Sequence, residues 1–86
     1  MPELLFTPKF VRQWKKLSPD LQVEVEMCLQ KLEQNPRDKS LKAHKLTGKL
    51  GRFMSCSVNY RYRVVFTWDD KNTIAILKVG DHSIYG

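Results

Sequence analysis

The side chains best suited to chemistry are two histidines, His44 and His82, two arginines, Arg61 and Arg63, and one tyrosine, Tyr85. Imidazole exchanges protons near neutral pH, and guanidinium binds phosphate bidentately without losing its charge. Cleavage of an RNA phosphodiester needs these groups, because a base takes the 2′-hydroxyl proton, an acid protonates the leaving 5′-oxygen and a cation stabilises the phosphate. For the arginines, an exposed role on the sheet surface remains an equal alternative.

Other kinds of site are poorly represented. The two histidines are far apart in sequence with no second ligand pair nearby, and no glycine-rich phosphate loop is present. The sequence therefore predicts no metal and no cofactor. We interpret Cys28 and Cys56 as small buried apolar residues rather than as a redox or metal pair.

Positive charge is concentrated in one segment. The chain has a net charge of +6, and residues 36–52 carry six basic side chains against one acidic one. Such a segment favours an anionic partner, with nucleic acid first, although a solubilising loop is the alternative. The predicted RNA-binding residues are Arg61 and the segment's Lys39, Lys42, Lys45, Lys49 and Arg52.

The first half of the chain predicts a strand followed by two helices. A short apolar run at residues 3–6 precedes Thr7 and Pro8, and Ser18 and Pro19 repeat the same helix-start signal. The second helix is expected to end near residue 34, before an Asn-Pro pair. Because the link between the helices is short, we expect them to be antiparallel neighbours.

The second half predicts a loop and then a three-stranded meander. Residues 36–51 lack a clean period, whereas 53–58, 60–68 and 73–79 have strand patterns separated by turns at Asn59 and at 69–72. The expected fold is α+β in the order β-α-α-β-β-β, with the helices on one face of an antiparallel sheet and the arginines on the other.

Length and composition indicate one domain covering residues 1–86. No apolar run reaches membrane-spanning length and no leader pattern follows Met1. We therefore expect a cytoplasmic protein.

Three stretches resemble the RelE/ParE superfamily of bacterial and archaeal toxins. Residues 41–48, LKAHKLTG, resemble the loop before the sheet in YafQ-type members, residues 62–66, YRVVF, resemble the family's arginine-bearing strand, and residues 79–85, VGDHSIY, resemble its closing motif. The order of elements matches along essentially the whole chain.

The resemblance implies a toxin that cleaves mRNA in the ribosome and is held inactive by an acidic antitoxin in a hetero-oligomer. It assigns the scissile-phosphate contact to Arg63, catalytic roles to His44 and His82, and a place near the reacting nucleotide to Tyr85. The chain departs from RelE, where two lysines stand in place of Met54 and Cys56, so the general base stays unassigned. Two alternatives follow: a ParE-like inhibitor of DNA gyrase, and a relic that only binds an antitoxin.

Overall fold

The computed structural model describes residues 1–47 and 52–81. Its elements are β1 (Glu3–Phe6), α1 (Pro8–Lys15), α2 (Pro19–Gln34), a 3₁₀ turn (Lys39–Leu41), β2 (His44–Lys45), β3 (Met54–Ser57), β4 (Arg63–Asp70) and β5 (Thr73–Gly80). The 3₁₀ turn and β2 lie within the segment that the sequence predicted to be a loop. Neither helix within the described ranges is long and apolar enough to cross a membrane.

The five strands form one mixed sheet in the order β1-β5-β4-β3-β2. The α+β class and the placement of two helices against a sheet are confirmed, with one correction for β1. This strand pairs in parallel with β5, whereas the other neighbouring pairs are antiparallel. No hairpin joins β1 to β5, so the antiparallel direction that hairpins impose on the meander does not apply to it.

Both helices begin where the sequence predicts. Thr7 Oγ1 accepts a hydrogen bond from the Phe10 N–H at 3.3 Å, and Ser18 Oγ accepts one from the Leu21 N–H at 3.3 Å. The Thr7 hydroxyl also donates to the carbonyl of Ile76 at 2.8 Å. The residue that caps α1 therefore also connects this helix to the centre of β5 through a hydrogen bond.

The helices cover one face of the sheet and bury the apolar core there. Burial of this kind removes apolar side chains from water and supplies most of the stability of a small domain. The core combines helix and turn residues with sheet residues: Phe10, Val25, Cys28, Leu29, Leu32 and Leu41 with Cys56, Val64, Phe66, Ile74, Ile76 and Val79.

The opposite face, called the helix-free face below, carries the alternate residues of β3 and β4. Arg63 pairs with Ser57, and Val65 pairs with Ser55, so these four side chains share that face. Ser55 is fully buried and Val65 nearly so. The face that the sequence predicted to be open is therefore accessible beside Arg63 but buried at the centre of the sheet.

A bulge in β5 decides the face on which Lys78 lies. Val65 pairs with Lys78, but the next residue of β4, Phe66, pairs with Ile76. Strict alternation from Ile76 would place Lys78 in the core, whereas the extra residue moves it to the helix-free face. Lys78 then lies diagonally across from Arg63, at a Cα separation of about 7–8 Å.

The turn between β3 and β4 is longer than predicted. Asn59 Oδ1 accepts hydrogen bonds from the backbone N–H groups of Arg61 and Tyr62, both at 2.8 Å. These local bonds compete with strand pairing, so β4 begins at Arg63 rather than at residue 60. At its other end β4 includes both Asp69 and Asp70, which were predicted as turn residues.

Candidate functional site

A groove of about 600 Å³ lies where the 3₁₀ turn approaches the β3–β4 turn. Three cations and three small polar residues line it, and no described lining residue is acidic. A concave surface with this composition attracts an anion such as a phosphate. We call it the cationic groove and define it by Ser40, Lys42, Ser57, Asn59, Arg61 and Arg63.

Arg63 is the most firmly positioned cation of the groove. Its Nη1 donates to the carbonyl oxygens of Asn59 at 2.8 Å and of Tyr62 at 3.2 Å. Among the described residues, its Nε and Nη2 have no hydrogen-bond partner. A half-buried guanidinium held in this way keeps donors for a phosphate and loses little freedom on binding one.

Asn59 connects the groove to α2. Besides holding the turn through Oδ1, its Nδ2 donates to Glu24 Oε2 at 2.7 Å. The same residue therefore fixes the turn that carries Arg61, supplies a carbonyl to Arg63 and anchors both to the helix layer. This arrangement fixes the backbone of the turn at Arg61 and the guanidinium of Arg63 before any ligand binds.

Arg61 lies on the outer rim of the groove. Its Nη2 is 3.8 Å from Asp81 Oδ2, and its guanidinium carbon is 5.9 Å from the centre of the Tyr62 ring. The Arg61 side chain is 69% exposed, so the ion pair is screened by water and adds little to stability. Asp81 reduces the positive charge at the rim.

The 3₁₀ turn supplies the opposite wall. Asp38 Oδ1 accepts from the Ser40 hydroxyl at 2.7 Å and from its N–H at 2.9 Å, which lowers the pKa of Asp38. Lys31 Nζ donates to Ser40 Oγ at 3.1 Å. Lys42 ends the turn in a left-handed conformation, with φ 50°. Local hydrogen bonds thus determine where this lysine enters the groove.

His44 shares the helix-free face with Arg63 but does not contact it. His44 pairs with Ser55 on β3, one step along the face from the Ser57–Arg63 pair. Two strand spacings and a two-residue offset separate the Cα atoms of His44 and Arg63 by about 12 Å. The His44 ring is exposed, and its Nδ1 lies 3.1 Å from the carbonyl oxygen of Lys42.

The other predicted basic residues do not form one surface. Lys39 is exposed beside Lys42 and lines the neighbouring depression. Lys45 pairs with Met54 and therefore lies on the helix-covered side. The Arg52 carbonyl accepts a hydrogen bond from Thr67 Oγ1 at 3.3 Å. Thr67 is four residues, or about 13 Å, along β4 from Arg63, so the backbone of Arg52 lies far from the cationic groove. Lys49, His82 and Tyr85 lie outside the described residues.

Sequence reasoning missed two lysines near the groove. Lys31 contacts the groove wall through Ser40, and Lys78 lies diagonal to Arg63. The signal for Lys78 was a single charge inside an apolar strand, but its face depends on the bulge. Lys31 falls on the polar side of a helical pattern and has no distinguishing signal.

In the described part of the chain, no three histidine, cysteine, aspartate or glutamate side chains are close enough to bind a metal. Cys28 and Cys56 are free and buried, as the sequence predicted.

The sequence match that decides the family covers almost the whole chain. The sequence model of one protein family, the ParE toxins of type II toxin–antitoxin systems, matches residues 4–84. The chain belongs to this toxin family. No curated protein matches the sequence of this ParE-family toxin.

Solved toxin structures have the same fold as this family member. A chain of the RelBE2 toxin–antitoxin complex of Mycobacterium tuberculosis is 26% identical in sequence to this toxin and superposes on it with a TM-score of 0.78. The alignment covers 95% of this chain and 100% of that chain. YafQ of Escherichia coli is 11% identical with a TM-score of 0.80, covering 99% and 98%. The YoeB–YefM complex of Staphylococcus aureus is 22% identical with a TM-score of 0.75, covering 95% and 98%. The toxin is thus similar in fold to RelE-, YoeB- and YafQ-type proteins.

Proposed function

We propose that this toxin is a metal-independent endoribonuclease that cleaves mRNA in the ribosome and thereby inhibits translation in the cytoplasm. The observation that carries the proposal is the cationic groove, with a pre-positioned Arg63 on the face that also bears His44. A groove of this kind fits a phosphodiester backbone better than a neutral substrate.

Arg63 would stabilise charge on the scissile phosphate. Two carbonyl oxygens hold its Nη1, while Nε and Nη2 can donate to one phosphate. As the 2′-oxygen attacks and negative charge develops on the phosphate oxygens, donors already in place need little reorganisation. Loss of one such donor typically lowers the rate by about 10²–10³.

Proton transfer would fall to the imidazoles, with His44 and His82 as candidate base and acid. Asp81 lies at the rim of the groove through its ion pair with Arg61, and His82 is the next residue in the chain. We propose that Tyr85 stacks on a base near the cleavage point, a contact worth about 1–3 kcal/mol. The nucleotide backbone would be held by Lys42 and Arg61, with Lys39 beside them. His44, whose Cα lies about 12 Å from that of Arg63, would act on a different oxygen of the bound strand from the one that Arg63 contacts.

We also propose that an acidic antitoxin neutralises the toxin in a hetero-oligomer. The net charge of +6 complements an acidic segment, and two of the structurally similar toxins were solved as toxin–antitoxin complexes. Exposed apolar side chains on β1 and α2, namely Leu5, Phe6, Val23 and Met27, offer contacts for a segment that folds on binding. Expression of the toxin alone should therefore arrest growth, and co-expression of the cognate antitoxin should relieve the arrest.

A second candidate function is inhibition of DNA gyrase. It is supported by the family match, which is to ParE toxins, and by the absence of the two RelE lysines at Met54 and Cys56. The same groove would then bind protein or DNA without cutting RNA.

Primer extension on a reporter mRNA after brief induction separates the candidates. The nuclease proposal expects cuts at codon positions within translated mRNA, lost in Arg63→Ala and His82→Ala and retained in Arg52→Ala. Arg52 is the matched control because its carbonyl bonds Thr67, which is about 13 Å along β4 from Arg63, so this arginine lies away from the cationic groove. Intact mRNA accompanied by DNA damage would favour gyrase inhibition, and intact mRNA without DNA damage or growth arrest would indicate a relic.

A further inference from the structure

Two thiols that the proposed reaction does not use lie in contact between α2 and β3, beside Ser57 of the cationic groove. Cys28 of α2 and Cys56 of β3 are both free, and their Sγ atoms are 3.6 Å apart. We propose that this pair is a site of reversible oxidation, at which a hydroperoxide converts the two thiols into a Cys28–Cys56 disulfide.

The two sulfurs are at contact distance. A disulfide places its sulfurs about 2.05 Å apart, so the two sulfurs need to approach by about 1.5 Å. Because the cysteines sit on two packed elements, a helix and the strand beneath it, the pair is held together by the fold itself. Formation of the bond therefore starts from two thiols that are already in contact.

The two thiols are not equivalent. Cys28 lines a small surface groove of about 200 Å³ together with Met27 and Lys31, whereas Cys56 is completely buried. The hydrogen bond from Cys56, aided by the charge of Lys31, lowers the pKa of Cys28 against the effect of burial. The same hydrogen bond and burial raise the pKa of Cys56. Both thiols are buried, with Cys28 3% and Cys56 0% exposed. Because Cys28 borders the small groove and has the lower pKa, we take it as the thiol that a peroxide attacks.

The reaction balances with the peroxide as the oxidant. The Cys28 thiolate attacks one peroxide oxygen, the O–O bond breaks, and the sulfur becomes a sulfenic acid while the leaving alkoxide or hydroxide takes a proton. The Cys56 sulfur then attacks the Cys28 sulfur, and the displaced hydroxide leaves as water with the Cys56 proton. Two electrons pass from the two sulfurs to the peroxide. A small thiol reductant reverses the change by exchange.

The bond would lock α2 to β3 next to the cationic groove. Cys28 Sγ donates to the carbonyl of Ser57 at 3.4 Å, and Ser57 lines the groove opposite Arg63 in the strand register. Residues 28 and 56 are 28 positions apart, and closing a loop of that length in the unfolded chain is expected to raise the Tm by about 10 °C or more.

Mass spectrometry of the purified full chain tests the proposal. After treatment with a small excess of hydrogen peroxide, the protein should remain monomeric and become lighter by two hydrogen atoms. A tryptic digest without reductant should contain residues 17–31 linked to residues 53–61, and dithiothreitol should separate them. Oxidation of Met27 in the first peptide or of Met54 in the second adds an oxygen, so methionine oxidation is distinguished by mass. Persistence of two unmodified thiols, or an intermolecular dimer as the main product, would overturn the proposal.

Single variants test the order of the two thiols. Cys56→Ser, which keeps a hydrogen-bond donor beside Cys28, should stop at a sulfenic acid on Cys28, captured by dimedone, and Cys28→Ala should leave Cys56 unlabelled. Circular dichroism of both variants checks that the fold persists. Equal dimedone labelling of Cys56 in the Cys28→Ala chain would contradict the assignment of Cys28 as the attacked thiol.

Discussion

Lys42 combines a backbone conformation that disfavours lysine with a position in the cationic groove. Its φ of 50° and ψ of 39° are left-handed, which costs a residue with a Cβ atom about 1–2 kcal/mol. Glycine avoids this cost but loses about 0.5–1 kcal/mol of conformational freedom on folding. Lys42→Gly is therefore expected to raise the free energy of unfolding by about 0.5–1 kcal/mol and the Tm by about 2–8 °C.

The same substitution should weaken binding to RNA. Removal of one cation that contacts a phosphate reduces the slope of log K against log salt by about 0.7 for a single strand. Lys42→Ala is the matched control, because it removes the same charge but keeps a Cβ atom in the left-handed conformation. The two variants should bind a single-stranded RNA equally weakly, while only the glycine variant is more stable than the wild type.

Thermal unfolding followed by circular dichroism gives the stability, and fluorescence anisotropy with labelled RNA at several salt concentrations gives the slope. If Lys42→Gly binds RNA with the wild-type affinity and slope, Lys42 does not contact phosphate and the groove is assigned to the wrong ligand. If both variants have the wild-type Tm, the left-handed conformation at this position carries no strain.

Three further predictions concern the rim, the turn and the core. Asp81→Asn should strengthen RNA binding in the anisotropy assay, because it removes the negative charge that lies 3.8 Å from Arg61 at the rim of the groove; weaker binding would contradict this. Asn59→Ala should destabilise the chain by about 1–3 kcal/mol in urea unfolding, because it removes the acceptor for two N–H groups of the turn and the donor to Glu24, and Asn59→Ser, which keeps a hydroxyl acceptor beside the turn, should lose less. Leu32→Ala, at a fully buried site, should lose about 2–5 kcal/mol in the same measurement, and a smaller loss would mean that the core collapses around the deletion.

The helix starts were predictable because their causes are local. A hydroxyl residue followed by proline caps a helix through bonds within one turn, and both Thr7 and Ser18 do so in the structure. The burial of Cys28 and Cys56 also follows from composition and pattern. Periodicity along the chain was thus enough to predict the layers of the fold.

The positions of charged residues on the sheet were less predictable, since they depend on pairing between distant segments. Lys78 lies on the helix-free face only because of the bulge beside Phe66. Lys45 does not lie on the predicted basic surface, because it pairs with Met54, whose side chain faces the helices. A one-residue change of register moves a side chain to the other face, and one sequence does not reveal that register. The common face of His44 and Arg63 likewise became visible only through the two strand pairings.

Cleavage of mRNA bound to purified ribosomes tests the central claim most directly, with the wild-type chain, Arg63→Ala and the control Arg52→Ala compared at equal concentrations. We predict that the wild type and Arg52→Ala cut the mRNA within the ribosome at similar rates, and that Arg63→Ala is slower by about 10²–10³. Uncut mRNA with the folded wild-type chain, or equal rates for the wild type and Arg63→Ala, would contradict the assignment of the cationic groove as the site of RNA cleavage.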